Sequence, residues 1–209
     1  MTTDTERRLR ADAARNAERI LRTARAVFAE LGPDAPLEEI ARRADVRIRT
    51  LYNRFPNKAD LVRAALDLAI AEDLTPAVER ALADDDPLHG LVSLIEAAMG
   101  LAARELHTLA AARSAGTLTA EVYTPFYEAL SLLARRAQDA GLLRADLVPD
   151  DLPRLMAMLT TTLWTMDPST DGWRRYLTLM FEGLRPTMAK PLPSPVTLRM
   201  DSRTGNWSR

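Results

Sequence analysis

No cysteine occurs in the 209 residues. That absence excludes a disulfide framework, a zinc–thiolate centre, an iron–sulfur cluster and a cysteine nucleophile. Histidine is limited to two residues, His89 and His107, so a metal centre would have to rest on carboxylates. The carboxylate clusters, Asp84-Asp85-Asp86 and Asp150-Asp151, stand where helices begin, and acids there are favoured by the helix dipole. They read as caps, and neither a metal nor a cofactor is expected. Glycine is scarce at eight residues, with no phosphate-cradling loop, no dinucleotide fingerprint and no G-x-S-x-G. Without a Ser/His/acid set, the chain is not expected to be an enzyme. Long apolar runs are missing too. The longest uncharged one, Leu155 to Met166, has 12 residues, short of the roughly 20 that span a bilayer. The N-terminus has no apolar segment of a secretory signal. A cytoplasmic protein without a membrane partner is expected.

Lysine is almost absent. Of 28 basic residues all but Lys58 and Lys190 are arginine, against 29 acids, for a net charge of −1. Arginine is the better fork for phosphate and guanine, although a GC-rich coding sequence produces the same bias. The near-zero total divides unevenly. Residues 1–60 hold 13 basic and 10 acidic side chains, and residues 61–209 hold 15 and 19.

What is present is helical periodicity over a composition that is 47% apolar; there is no convincing strand and no repeat. Ile20, Ala24, Val27, Phe28 and Leu31 form one stripe, stopped by Gly32-Pro33. Two short apolar sets follow: Leu37, Ile40, Ala41 and Ala44, then Ile48, Leu51, Tyr52 and Phe55. Asn57 and Asp60 read as an N-cap and N3 pair opening the next helix. Pro87 suits the first turn of a long helix carrying Leu91, Ile95, Ala98, Ala102, Leu106 and Leu109. A break is expected at Ser114 to Thr119. Tyr123, Phe126, Tyr127, Leu130, Leu133 and Ala134 make the next stripe, ended by Gly141. Helices over about 150–166 and 170–184 complete the bundle.

The two short helices suggest a helix-turn-helix. If Ile48, Leu51, Tyr52 and Phe55 face inward, then Arg47, Arg49, Thr50, Asn53 and Arg54 face outward. That outer set is almost wholly hydrogen-bond donors. From Arg42 to Lys58 stand six basic residues and one acid, Asp45, a balance of +5. Such a face suits the DNA major groove, where Arg reads guanine and Asn reads adenine. Arg7, Arg8, Arg10 and Arg15 fit either an arm reaching phosphates or the minor groove, or a solvated terminus.

At these residues the chain resembles the TetR-type (tetracycline-repressor-like) regulators. Pro36 to Val62 carries the likeness through Ile40-Ala41, Ala44-x-Val46, Thr50-Leu51-Tyr52 and Phe55-Pro56-x-Lys58. It reaches back over the helix with Ile20 and Phe28, covering roughly residues 12–65. The resemblance implies a homodimer with one helix-turn-helix per subunit, Thr50 and its neighbours at base edges, and Tyr52 and Lys58 at phosphates. Three positions depart from the family pattern: Asp45 replaces a usual Gly, Arg47 replaces a usual small or capping residue, and Arg49 replaces a usual small one.

Further along, Leu152, Leu155, Met156, Leu159, Leu163 and Met166 make one apolar helix face. A second, weakly polar face holds Met158, Thr161, Thr162 and Thr165. A helix uncharged on every side is buried on most sides, and a partner subunit is the easy cover. Leu155, Leu159, Leu163, Trp173, Tyr176, Leu177 and Met180 are therefore the dimer candidates, in a four-helix interface as the family implies. Met99, His107, Tyr123, Phe126, Tyr127, Met158 and Trp164 are candidates for lining an effector pocket. Each of these is also compatible with plain core.

The expected architecture is all-α. Residues 1–60 form an N-terminal arm and three-helix helix-turn-helix domain, with the motif at about 36–55. Residues 61–186 form a helical bundle for effector binding and dimerisation, and residues 187–209 form a Pro-rich irregular tail. The expected function is a ligand-responsive regulator, in this family most often a repressor. It would bind a near-palindromic double-stranded DNA operator as a homodimer and be released by an unknown small molecule. Its DNA-contacting residues would be Arg47, Arg49, Thr50, Tyr52, Asn53, Arg54 and Lys58. The alternative is a dimeric small-molecule-binding or interaction module whose helix-turn-helix no longer reads DNA.

Overall fold

The computed structural model describes residues 2–167, 170–186 and 190–197, and no strand occurs among them. Two compact units emerge, one of residues 1–68 with 107–118, the other of residues 69–106 with 119–209.

The first unit is built on α1 (Thr2–Leu31), α2 (Leu37–Arg43), α3 (Ile48–Arg54) and α4 (Lys58–Ala69). The positions of Arg7, Arg8, Arg10 and Arg15 are thus helical. Ile20, Ala24, Val27 and Phe28 are buried as the spacing predicts, but Leu31 is exposed, because α1 ends there and turns away at Gly32. The α2–α3 turn explains one departure from the family pattern. Val46 N–H donates to Ala41 O (3.0 Å) and Asp45 N–H to Arg42 O (3.2 Å). These are the paired bonds of a Schellman motif, whose C′ residue is left-handed. Asp45 occupies that place with φ +52°, a conformation that Asp adopts more readily than most non-glycine residues. The α4 cap forms as expected: Asn57 Oδ1 accepts from Asp60 N–H (2.8 Å), and Asn57 Nδ2 donates to Asp60 Oδ2 (2.9 Å).

In the second unit a π-helical turn (Ile70–Leu74) leads into α5 (Thr75–Leu82). Pro76 lacks the N–H that would continue the α pattern there. The helices α6 (Pro87–Arg104), α8 (Ala120–Asp139), α9 (Asp151–Thr162) and α10 (Trp173–Gly183) make the bundle. The long helix expected through Leu109 ends instead at Arg104, and α7 (Leu106–Ser114) begins anew, its residues from His107 on belonging to the first unit. No proline or glycine marks that break. The acidic clusters are absorbed locally. Asp86 accepts from the N–H groups of Leu88 (2.9 Å) and His89 (3.1 Å), and Asp151 accepts from Val148 N–H (3.1 Å). In α9 the hydroxyls of Thr160, Thr161 and Thr162 bond back to carbonyls three or four residues earlier. Such bonds compete with the helix pattern, and the chain tightens into a 3-10 turn over Leu163–Thr165.

Of the tail, residues 190–197 carry no regular structure. They are tied down by Leu192 N–H donating to Asp146 (2.7 Å), Arg144 to Lys190 O (3.3 Å) and Arg154 to Val196 O (2.7 Å). Arg144 and the Leu192 N–H together hold the Asp146 carboxyl far below the usual carboxylate range. The remainder of the expected tail, 187–189 and 198–209, lies outside the described residues. No helix among those described is long and apolar enough to cross a membrane.

Gly90 marks the tightest approach at a glycine among the described residues. A Cβ there would stand 2.6 Å from the backbone oxygen of Ala81 and 3.2 Å from Leu133 Cδ2. Gly→Ala inside a helix ordinarily gains up to about 1 kcal/mol. At Gly90 the backbone clash reverses the sign, because overpacking costs roughly 1–3 kcal/mol. Gly90→Ala is expected to lose about 2 kcal/mol in urea unfolding. Gly100→Ala, in the same helix but facing only the flexible end of Arg104, is expected to gain. Equal effects at both positions would disprove the close crossing.

Candidate nucleic-acid interface

Helix α3 has two turns and is anchored from below by Leu51, fully buried, and Phe55. Ile48 is half-buried. Tyr52 departs from the expected inward set, being 43% exposed: the helix is too short and too lightly covered to hide four side chains. Arg47, Arg49, Thr50, Asn53 and Arg54 are all exposed.

The basic residues of this region fall into two groups. Arg42 donates to both oxygens of Glu39 (2.7 Å each), and Arg43 donates to Glu39 (2.6 Å) and to Glu30. Those guanidinium groups hold the Glu39 carboxyl down at about 2, and Arg43 raises no free charge outward. Lys58 turns back. Its Nζ donates to Ala35 O (3.2 Å) and lies 5.7 Å from the centroid of the Phe28 ring, within cation–π range. By contrast, no hydrogen bond or ion pair engages the side chains of Arg47, Arg49 or Arg54 among the described residues. The +5 window therefore contains three uncommitted cations, all of them on or beside α3.

Arg47 is also the N-cap of α3, and its side chain makes no capping bond. Arg47→Ser supplies the missing acceptor and is expected to raise the stability of this unit by about 1 kcal/mol. Thermal unfolding checks the gain. A lowered midpoint would mean that the arginine stem contributes more packing than a cap restores.

The expected effector residues are dispersed. Met99 is buried in α6. Tyr123, Phe126 and Tyr127 cluster on α8, with centroid separations of 6.2 Å (Tyr123–Tyr127) and 5.2 Å (Phe126–Tyr127). Burial pushes the Tyr127 phenol up, so it stays a neutral donor. His107 lies in the first unit, where its Nδ1 donates to Phe28 O (3.0 Å); it is a satisfied structural histidine. Met158 and Trp164 are 66% and 57% exposed and line no interior.

The dimer set divides as well. Leu159, Leu163, Trp173 and Leu177 are buried within the single chain, Leu155 and Met180 are half-buried, and Tyr176 is exposed. The single chain's own core covers four of the seven residues that the spacing assigns to a partner. The large apolar side chains exposed between Asp151 and Gly183 are Met158, Trp164, Tyr176 and Leu179. Leu179 was readable from its i, i+3 relation to Tyr176.

One further cluster joins Asp84, His89 and Ser93. Asp84 Oδ2 lies 2.6 Å from His89 Nδ1, and Ser93 Oγ lies 3.4 Å from His89 Nε2. Ser93 sits inside α6, where helix bonding occupies the backbone N–H groups an oxyanion would need. The described residues include no group of three or more His, Asp or Glu able to hold a metal.

The family model described as "Bacterial regulatory proteins, tetR family" matches residues 20–65, and that of the "Transcriptional regulator SbtR-like, C-terminal domain" matches residues 86–186. The TetR transcriptional regulator SCO0520 of Streptomyces coelicolor is 32% identical over 82% of this chain and 99% of its own, with TM-score 0.59. A TetR regulatory protein of Mycobacterium vanbaalenii is 29% identical over 85% and 99%, with TM-score 0.60. NalD of Pseudomonas aeruginosa, the secondary repressor of the MexAB-OprM multidrug efflux pump, is 26% identical over 84% and 98%, with TM-score 0.58. Among curated proteins none matches. With both halves matched in order and a relative of this identity covered nearly end to end, the chain belongs to the tetR family of bacterial transcriptional regulators.

Proposed function

We propose that the protein is a ligand-responsive repressor that binds a near-palindromic DNA operator as a homodimer. The observation that carries this reading is the selective freedom of Arg47, Arg49 and Arg54 on the face of α3 that also displays Thr50 and Asn53. Residues 1–60 are assigned to DNA, 61–186 to effector and partner, and 187–209 to the tail. A dimer would place its two α3 helices in successive major grooves, roughly 34–36 Å apart or a multiple of that. The acidic balance of residues 61–209 keeps the rest of the molecule off the phosphates.

The partner face is assigned to Met158, Trp164, Tyr176 and Leu179. The effector site is assigned to Met99 and the α8 aromatic cluster, whose two phenols offer polar tips in an apolar lining. Repression fits the role of NalD, and small-molecule binding fits a regulator of Saccharomonospora viridis solved with choline. A small molecule that favours one conformer by about 1–3 kcal/mol would change operator affinity roughly 5- to 150-fold.

The test is binding to the DNA upstream of the protein's own gene across a salt series. The logarithm of the affinity is expected to fall linearly with log salt, with a slope near −0.9 per phosphate neutralised. Flat, salt-independent behaviour, or no binding, refutes the reading.

A further inference from the structure

The free side chains of α3 are not equivalent, and their arrangement around the helix separates those that can reach base edges from those that can reach only phosphates. An α-helix advances about 100° per residue. The buried direction is set by Leu51 and Phe55. The direction opposite to their mean falls on Asn53, with Arg49 about 40° to one side and Thr50 about 60° to the other. Tyr52 and Arg54 stand about 100° from that line on opposite flanks, and Arg47 lies on the Arg54 side at the N-cap. When a helix enters the major groove, its outermost stripe meets the floor and its flanks meet the two phosphate walls.

The donor geometry of the stripe is specific. A guanidinium pairs with guanine O6 and N7, and a carboxamide pairs with adenine N6 and N7; both contacts are bidentate. Arg49 and Asn53 are four residues apart, so they lie one above the other, one turn or about 5.4 Å along the helix. Adjacent base pairs rise about 3.4 Å, so the two side chains address bases on the order of one to two steps apart. Arg49 is fit for a base because nothing in the fold holds it. Arg42 and Arg43, equally basic in sequence, are committed to Glu39 and Glu30.

We propose that Arg49 reads a guanine and Asn53 a nearby adenine in each half-site, while Arg47 and Arg54 hold phosphates on one flank. This deepens the DNA-binding reading above and rests on it. The operator is accordingly a sequence with a guanine and an adenine within two base pairs of each other in each half, and its recognition uses the N7 atoms of both.

The experiment starts with selection of bound duplexes from a random pool by the full-length protein. Each guanine and adenine of the selected half-site is then replaced singly by its 7-deaza analogue, which keeps Watson–Crick pairing and removes only the N7 acceptor. One 7-deazaguanine and one 7-deazaadenine per half-site are expected to weaken binding roughly 5- to 150-fold. Arg49→Ala should abolish sensitivity to the first and flatten preference at that position only. Asn53→Ala should do the same at the adenine. Arg47→Ala and Arg54→Ala should weaken all sequences alike and shorten the salt slope by about 0.9 each, leaving preference unchanged. All four side chains are exposed, so circular dichroism should show an unaltered fold; Arg49→Lys serves as the variant that retains charge without the fork. An Arg49→Ala protein that keeps the guanine preference overturns the assignment, as does a change of preference on mutating Arg47 or Arg54. Absence of binding to any duplex would instead remove the DNA-binding reading itself, and this inference with it.

Discussion

Phe28→Ala is expected to destabilise the first unit by about 3–5 kcal/mol. The ring is completely buried, among the largest such side chains of the molecule. Its removal leaves a cavity between elements that cannot collapse freely, because three of them are fixed to this residue. Its backbone oxygen accepts from Gly32 N–H (2.9 Å), which closes α1, and from His107 Nδ1 (3.0 Å), which fixes the start of α7. Its ring carries the Lys58 ammonium at the head of α4, an attraction of about 0.5–1 kcal/mol at an accessible site. Native domains hold only about 5–15 kcal/mol in total, so the loss removes a large share of what keeps α3 in place. Denaturant unfolding followed by circular dichroism measures it, and Phe28→Leu, which keeps most of the volume, should cost less. A loss below about 1 kcal/mol for Phe28→Ala would mean that the core of this unit lies elsewhere.

Helix ends were legible because their signals are local. Gly32 stops α1, the Asn57–Asp60 pair opens α4, and Asp86 with Pro87 opens α6, each through bonds between residues two to four positions apart. The outer face of α3 was legible for the same reason, since spacing alone sets which side chains oppose Leu51 and Phe55. What was not legible depends on residues far apart in the chain. Arg43 is thirteen residues from Glu30, and their pairing takes it out of the charge that a sequence window credits to DNA. Lys58 meets a carbonyl twenty-three residues earlier. One partner lies on α1 and the other in the loop that follows it, and no local pattern encodes either. The faces of α9 and α10 are ambiguous for a related reason. Periodicity identifies two apolar sides of a helix without saying which is covered by the chain itself. Leu163 and Trp173 proved to be core, whereas Met158 and Trp164, read as pocket, remain on the surface.

That surface leads to the second large effect. Met158→Glu combined with Leu179→Glu is expected to convert a dimer to a monomer and to lower affinity for a two-half operator by about 10²- to 10⁴-fold, the gain that linking two binding modules provides. Met158 is 66% exposed and Leu179 57%, so the substitutions should cost the single chain within about 0.5 kcal/mol. Their neighbours strengthen the case for an apolar contact. The hydroxyls of Thr161 and Thr165, both exposed residues, donate to Ala157 O and Thr162 O (2.8 Å each), so their donors are already satisfied within the chain. Trp164 and Tyr176 add two more exposed apolar side chains on these segments. In a symmetric pair the same patch of both chains is buried, so every introduced carboxylate would have to be desolvated. Light scattering should give the mass of one chain for the double variant and of two for the parent. Affinity for a duplex with a single half-site should be the same for both proteins, since α3 is untouched. A double variant that stays dimeric, or that loses half-site binding as well, would show that Met158 and Leu179 do not form the partner face.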